Sequence, residues 1–166
     1  MITGLPSTPE RRCRVLFELP LMAETMVPAI SSSVMGPLGV KHLPRLWLKI
    51  LLHGYGRLPD GYRHGVGGFD EFLTTTLGID RDAFIAYIET SKPDYLTLEA
   101  WVRANATALT PEAIAKVNDG VASTDIPEAM YADRCARLGF ADPAYKKAVA
   151  LNDLDDWLAI HETLAR

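Results

Sequence analysis

A set of polar side chains in the middle of the chain has the types and spacing that proton chemistry requires. Arg45, Lys49 and His53 recur at i, i+4 and i+8 within HLPRLWLKILLHG, and Tyr62, His64 and Asp70 follow within RLPDGYRHGVGGFDEF. On a helix that spacing drifts by only about 40° per step, so the basic groups form one stripe. Like charges one turn apart repel by a few tenths of a kcal/mol per pair, and no acid lies within a turn on that face to offset them. Two explanations fit. The stripe is either the solvated side of a greasy helix, with Arg and Lys stems covering apolar surface, or the wall of a pocket that takes a small anion.

The pocket reading assigns roles. Arg45, Lys49 and Asp70 would hold and orient an anionic substrate, while His53, with Tyr62 or His64, moves a proton; an imidazole titrates near neutrality and an acid can orient it. Alternatively Asp70, Glu71 or the late acids Asp153, Asp155 and Asp156 fold back as partners, which makes the stripe structural.

Positioning these groups falls to helices. The segment from His42 to Gly54 is apolar around most of its circumference, as in a largely buried helix. The glycine-rich stretch after it supplies the chain reversal that returns Tyr62, His64 and Asp70 toward the stripe. Gly65-Val66-Gly67-Gly68 follows no expected strand and matches neither phosphate-loop pattern, so a turn or a simple anion nest is its reading.

Further along, Asp80, Asp94, Thr110-Pro111, Asp125 and Asp142-Pro143 read as helix starts, because a short side-chain oxygen can accept from first-turn amides and proline there loses no needed donor. Gly78, Gly120 and Gly139 read as C-caps. Phe84, Ile85 and Ile88, then Leu98, Trp101 and Val102, then Leu154, Trp157 and Leu158 repeat at helical spacing, and no two-residue alternation persists. The expectation is an all-α protein, a single compact domain of about seven or eight short helices at 41–166 with a Pro-rich N-terminal arm at 1–40 packed on it. A short helix between Pro9 and Leu19 is expected within the arm. Exchange of the arm between copies would make a homodimer.

Composition excludes several classes. The 166 residues are 48% apolar and 23% charged, enough for one self-sufficient core. A formal charge of −4 argues against general nucleic-acid affinity. Cys13 and Cys135 have no metal-type spacing, so neither a metal, a disulfide nor another cofactor is expected, and the thiols fit a reducing cytoplasm. Arg134 and Arg137 flank Cys135, but a helical cysteine is usually buried and inert. Ser31 to Ser33 lack a nucleophile elbow. No apolar run is long enough to cross a bilayer, so no membrane partner is expected.

The run from His42 to Asp80 resembles a bacterial family catalogued as a domain of unknown function, number 5069, whose members read HLARxxDKxRxxxxGxLPxDY, then GFD, then FxGID. The matching positions are His42, Arg45, Lys49, His53, Leu58-Pro59, Tyr62, Gly68-Phe69-Asp70 and Gly78-Ile79-Asp80, and the likeness extends from about Lys41 to the C-terminus with the arm outside it. The chain departs at Leu51, where members often carry a second basic residue, and lacks their acidic ending. The resemblance implies a site at these residues and no particular reaction. Two functions are carried forward: a metal-independent lyase, isomerase or hydrolase acting on a small anionic metabolite by proton transfer, or a non-catalytic ligand-binding or interaction module.

Overall fold

The computed structural model describes residues 24–140, 142 and 145–165. The expected helix between Pro9 and Leu19 lies outside them. Among the described residues, seven α-helices follow in order: α1 Leu43–Gly54, α2 Gly68–Thr76, α3 Arg81–Ser91, α4 Tyr95–Asn105, α5 Pro111–Ser123, α6 Glu128–Leu138 and α7 Ala148–Leu164. Among the described residues there is no strand, only isolated bridges pairing Met35 with Lys41 and Asp125 with Lys147. The protein is all-α.

α1 is the central rod. Leu43, Leu46 and Ile50 are fully buried among Leu73 of α2 and Leu77 at its C-cap, Phe84 and Ile88 of α3, Leu98 and Val102 of α4, and Val117 and Val121 of α5. Residues before α1 join this core through Leu38 and Val40. Asn118 of α5 holds that entry in place, accepting from the Lys41 amide at 2.8 Å and donating to the Gly39 carbonyl at 2.8 Å. A smaller cluster of Ile126, Tyr131, Cys135 and Leu151 joins α6 to α7.

The expected helix starts hold at Asp80, Asp94 and Thr110, whose side chains accept from Ala83, Thr97 and Ala113 amides respectively. Asp125 does otherwise. α6 begins at Glu128 behind Pro127, and Asp125 instead sits in the bridge to Lys147, with which it makes an ion pair at 2.7 Å. The proline of IPE fixes its own φ, so the helix starts after it and Asp125 is too far upstream to cap. The expected start at Asp142-Pro143 falls partly outside the described residues, and the α-helix that follows, α7, starts at Ala148.

Gly139 closes α6 in the left-handed conformation, and Gly78 has positive φ just after α2. Gly120 lies inside α5 and is no C-cap. Packing explains it: a Cβ there would lie 2.5 Å from the Phe72 ring, so only glycine lets α2 approach α5 this closely. Alanine is worth about 1 kcal/mol over glycine in an open helix interior, but here overpacking costs about 1 to 3 kcal/mol. Gly120→Ala should therefore lower the urea midpoint; a raised midpoint would show that Phe72 yields freely.

Candidate functional site

The stripe on α1 is graded by burial. Arg45 and Lys49 are buried at 5% and 7% exposure, whereas the His53 side chain is 48% exposed. The solvated-side explanation thus fails for the first two groups, because the chain after α1 folds back along the stripe and covers it.

Each returning side chain meets a different part of that stripe. Asp70, in the first turn of α2, accepts from Lys49 Nζ at 2.5 and 2.7 Å, through both carboxylate oxygens. The same carboxylate accepts the Gly65 amide at 2.8 Å and contacts His42 Nε2 at 2.7 Å. Tyr62 donates to Asp156 of α7 at 2.8 Å, and Asp156 in turn holds the Arg45 guanidinium through both oxygens at 2.5 and 3.1 Å. His64 stacks on His53 with ring centroids 3.7 Å apart.

The charges are thereby matched inside the protein. Burial alone would raise the Asp70 carboxyl, yet the His42 hydrogen bond and the Lys49 charge outweigh it and hold the group below the usual carboxylate range. Burial lowers the Lys49 ammonium, opposed by Asp70. His42 is also lowered, chiefly by burial. With Asp70 ionised, a neutral His42 carries its proton on Nε2, and its Nδ1 accepts from Ser32 Oγ at 2.9 Å. Tyr62 is pushed above the ordinary phenol value by burial and then by Asp156, so its hydroxyl stays protonated.

Arg45 is satisfied further by the Pro28 and Ile30 carbonyls, both at 2.8 Å. His42 itself adopts φ 69°, a left-handed conformation that a non-glycine residue rarely holds. Its ring is pinned at both nitrogens, which supplies the over-determination such a backbone needs.

These buried groups floor a cleft of about 730 Å³ between α1, the loop around residues 60–68, α6 and α7. Arg45, Lys49, Tyr62 and Asp70 all line it; His53 and His64 do not. The expected single site is therefore two places on one stripe, a buried polar floor and an exposed imidazole pair. Arg63 reaches the cleft mouth beside Gly67 and Gly68, where α2 starts without a side-chain cap. Arg134 and Arg137 enter from α6 and share Asp155.

Sequence reasoning does not single out Arg63 or Glu89, and gives neither His42 nor Ser32 the structural role it has here. His42 had only its family match as a signal. Glu89, 36 residues from the His53 that it contacts, had none. Ser32 was weighed as a nucleophile, but it is fully buried behind His42 and does not line the cleft. Cys135 is a free, buried thiol. Among the described residues, no helix is long and apolar enough to cross a membrane.

The family description Domain of unknown function (DUF5069) matches residues 30–157, so the chain belongs to that family. The match starts earlier than Lys41 and takes in Ile30, whose carbonyl accepts from Arg45, and Ser32, which bonds His42. A search of curated proteins found no match to the chain.

Two predictions follow from the matched charges. Asp70→Asn leaves Lys49 buried with half a partner and should cost about 3 to 5 kcal/mol in chemical denaturation; a loss under 1 kcal/mol would mean that water already serves Lys49. The second concerns pH. His42 titrates at 6.5 when unfolded and lower when folded, so the unfolded chain binds its proton first on acidification. Its contribution is complete above pH 6.5 and declines below it, with Asp70 adding a further loss below its ordinary value of 3.8. The wild type should lose more unfolding free energy than His42→Gln between pH 7.5 and 5.5, roughly one unit either side of an ordinary histidine. Parallel curves would remove His42 from the account.

Proposed function

From a family membership that carries no assigned reaction, we propose that this protein is a metal-independent cytoplasmic enzyme that binds a small anionic metabolite in the cleft and moves a proton on it. The observation that carries the reading is the floor of the cleft, where two ion pairs are taken out of water with the half-buried phenol of Tyr62 beside one of them. Buried ion pairs are rarely a gain in stability over apolar residues of similar size, so their presence along a cavity wall favours use over support. The volume suits a metabolite-sized ligand.

Within this reading the anion enters at Arg63, which has no ion-pair partner among the described residues, and meets the uncapped amides at the start of α2. Arg45 and Lys49 attract it from the floor, and Asp70 fixes the Lys49 ammonium toward it. Burial brings the Lys49 proton closer to neutral range, which suits a group that gives or takes a proton, and the Tyr62 hydroxyl serves as a donor. Asp60, Asp133 and Glu162 on the lining favour a ligand that also bears hydroxyls or a cationic end. Such parts fit lyase, isomerase or hydrolase chemistry. His53 and His64, outside the cleft, fit proton transfer there only if the ligand extends past Asp70.

A second reading, a binding module without turnover, draws on the fact that Asp70 and Asp156 already engage Lys49 and Arg45. Replacement separates the two. In a thermal-shift panel of small carboxylates and phosphates, one class should stabilise the wild type, and Arg63→Ala should weaken it about tenfold, or 1.4 kcal/mol. For a ligand so found, Lys49→Met and Tyr62→Phe should abolish turnover in the enzyme reading and only alter affinity in the binding one. No shift from any anion would sink both.

A further inference from the structure

Three side chains from three separate segments meet at the exposed end of the α1 stripe. His53 comes from the last turn of α1, His64 from the glycine-rich loop and Glu89 from α3. His53 Nδ1 lies 2.5 Å from Glu89 Oε1, the two imidazoles stack at 3.7 Å, and one ligand atom from each residue falls within 4.8 Å of the others.

The backbone is shaped to make this meeting. Gly54, next to His53, faces α3 so closely that a Cβ would lie 3.1 Å from Glu89 Cα. Gly65, next to His64, has φ +73°, and a Cβ there would lie 2.5 Å from Ile85 Cδ1 on the same helix. Glycine on the chain neighbour of each histidine thus lets α1 and the loop press onto the one stretch of α3 that carries the carboxylate. The cleft's lining excludes all three side chains.

Two imidazoles and one carboxylate form a common donor set for a divalent late transition ion. One dication would satisfy a nitrogen of each imidazole and the Glu89 oxygen at once.

We propose that His53, His64 and Glu89 form a binding site for a zinc-type divalent ion, separate from the cleft and open to water at its remaining coordination positions. Ligand atoms must come within about 2.0 to 2.2 Å of the ion, which lies in the plane of each imidazole. The stacked rings must therefore turn apart, which rotation of the partly exposed His53 and His64 side chains about their own bonds provides. Bound there, the ion ties the end of α1, the loop and α3 together.

The test uses the full chain titrated with Zn²⁺ by calorimetry and with Co²⁺ by its visible absorption. One equivalent should bind at micromolar or lower dissociation constant, with cobalt bands of a nitrogen and oxygen environment. His53→Ala, His64→Ala and Glu89→Gln should each weaken binding tenfold or more. His161→Ala, which alters an exposed histidine in the last turn of α7, should leave it unchanged. All three ligands are at least partly exposed, so circular dichroism should show the variants folded. Absence of binding at ~100 μM, a sulfur-type cobalt spectrum, or affinity unmoved by His53→Ala and Glu89→Gln would overturn the site; none of these touches the cleft, whose test is anion binding.

Discussion

The carboxylate of Asp70 is the point on which the architecture around the cleft depends. It accepts from Lys49 on α1, from the Gly65 amide in the loop and from His42 ahead of α1, and through His42 it reaches Ser32 in the leading segment. A single buried anion therefore sets the distance between α1 and α2, the path of the loop and the docking of the residues before α1. Apolar packing alone would not specify these, since hydrophobic contact has no direction. Hydrogen bonds to an ion do, and leaving any donor without it costs more than the bond itself contributes.

Arg45 and Asp156 repeat the arrangement one turn earlier on α1. Here the acid arrives from α7, 111 residues away, and the guanidinium also collects the carbonyls of Pro28 and Ile30. The smaller α6–α7 core is thus tied to the larger one by a directional contact. Tyr62 adds the loop to the same carboxylate. Both nodes leave one side facing the cleft, so the groups that define the fold there are also the groups a ligand would meet.

Helices and their class were legible because their causes are local: capping oxygens at Asp80, Asp94 and Thr110 act within one turn, and apolar periodicity needs only neighbouring residues. The stripe and the reversal that covers it were legible too, since uncompensated charges on a buried helix demand partners and the returning segment contains them. What sequence could not rank was solvent against protein as that partner. That depends on Asp156, whose pairing spans most of the chain, and no local pattern encodes it. Gly120 and Gly54 were opaque for a related reason: each serves a close approach of a distant helix, and a glycine that admits a neighbour looks the same in sequence as one that turns the chain.

The gradient along α1 follows from the geometry of the loop. Tyr62, His64 and Asp70 do not return in order along the stripe: Asp70, the farthest in sequence, meets the middle, Tyr62 reaches the N-terminal end through Asp156, and His64 meets the C-terminal end. Crossing the stripe in this way requires sharp turns between successive contacts, and positive φ at Gly61, Gly65, Gly67 and Gly68 supplies them. A side chain at those positions would cost strain at each turn, about 1 kcal/mol or more. The glycines thus act on the chemistry indirectly. They let one short loop bury two cations against fixed acids while leaving the imidazoles at the end of the same stripe within reach of solvent.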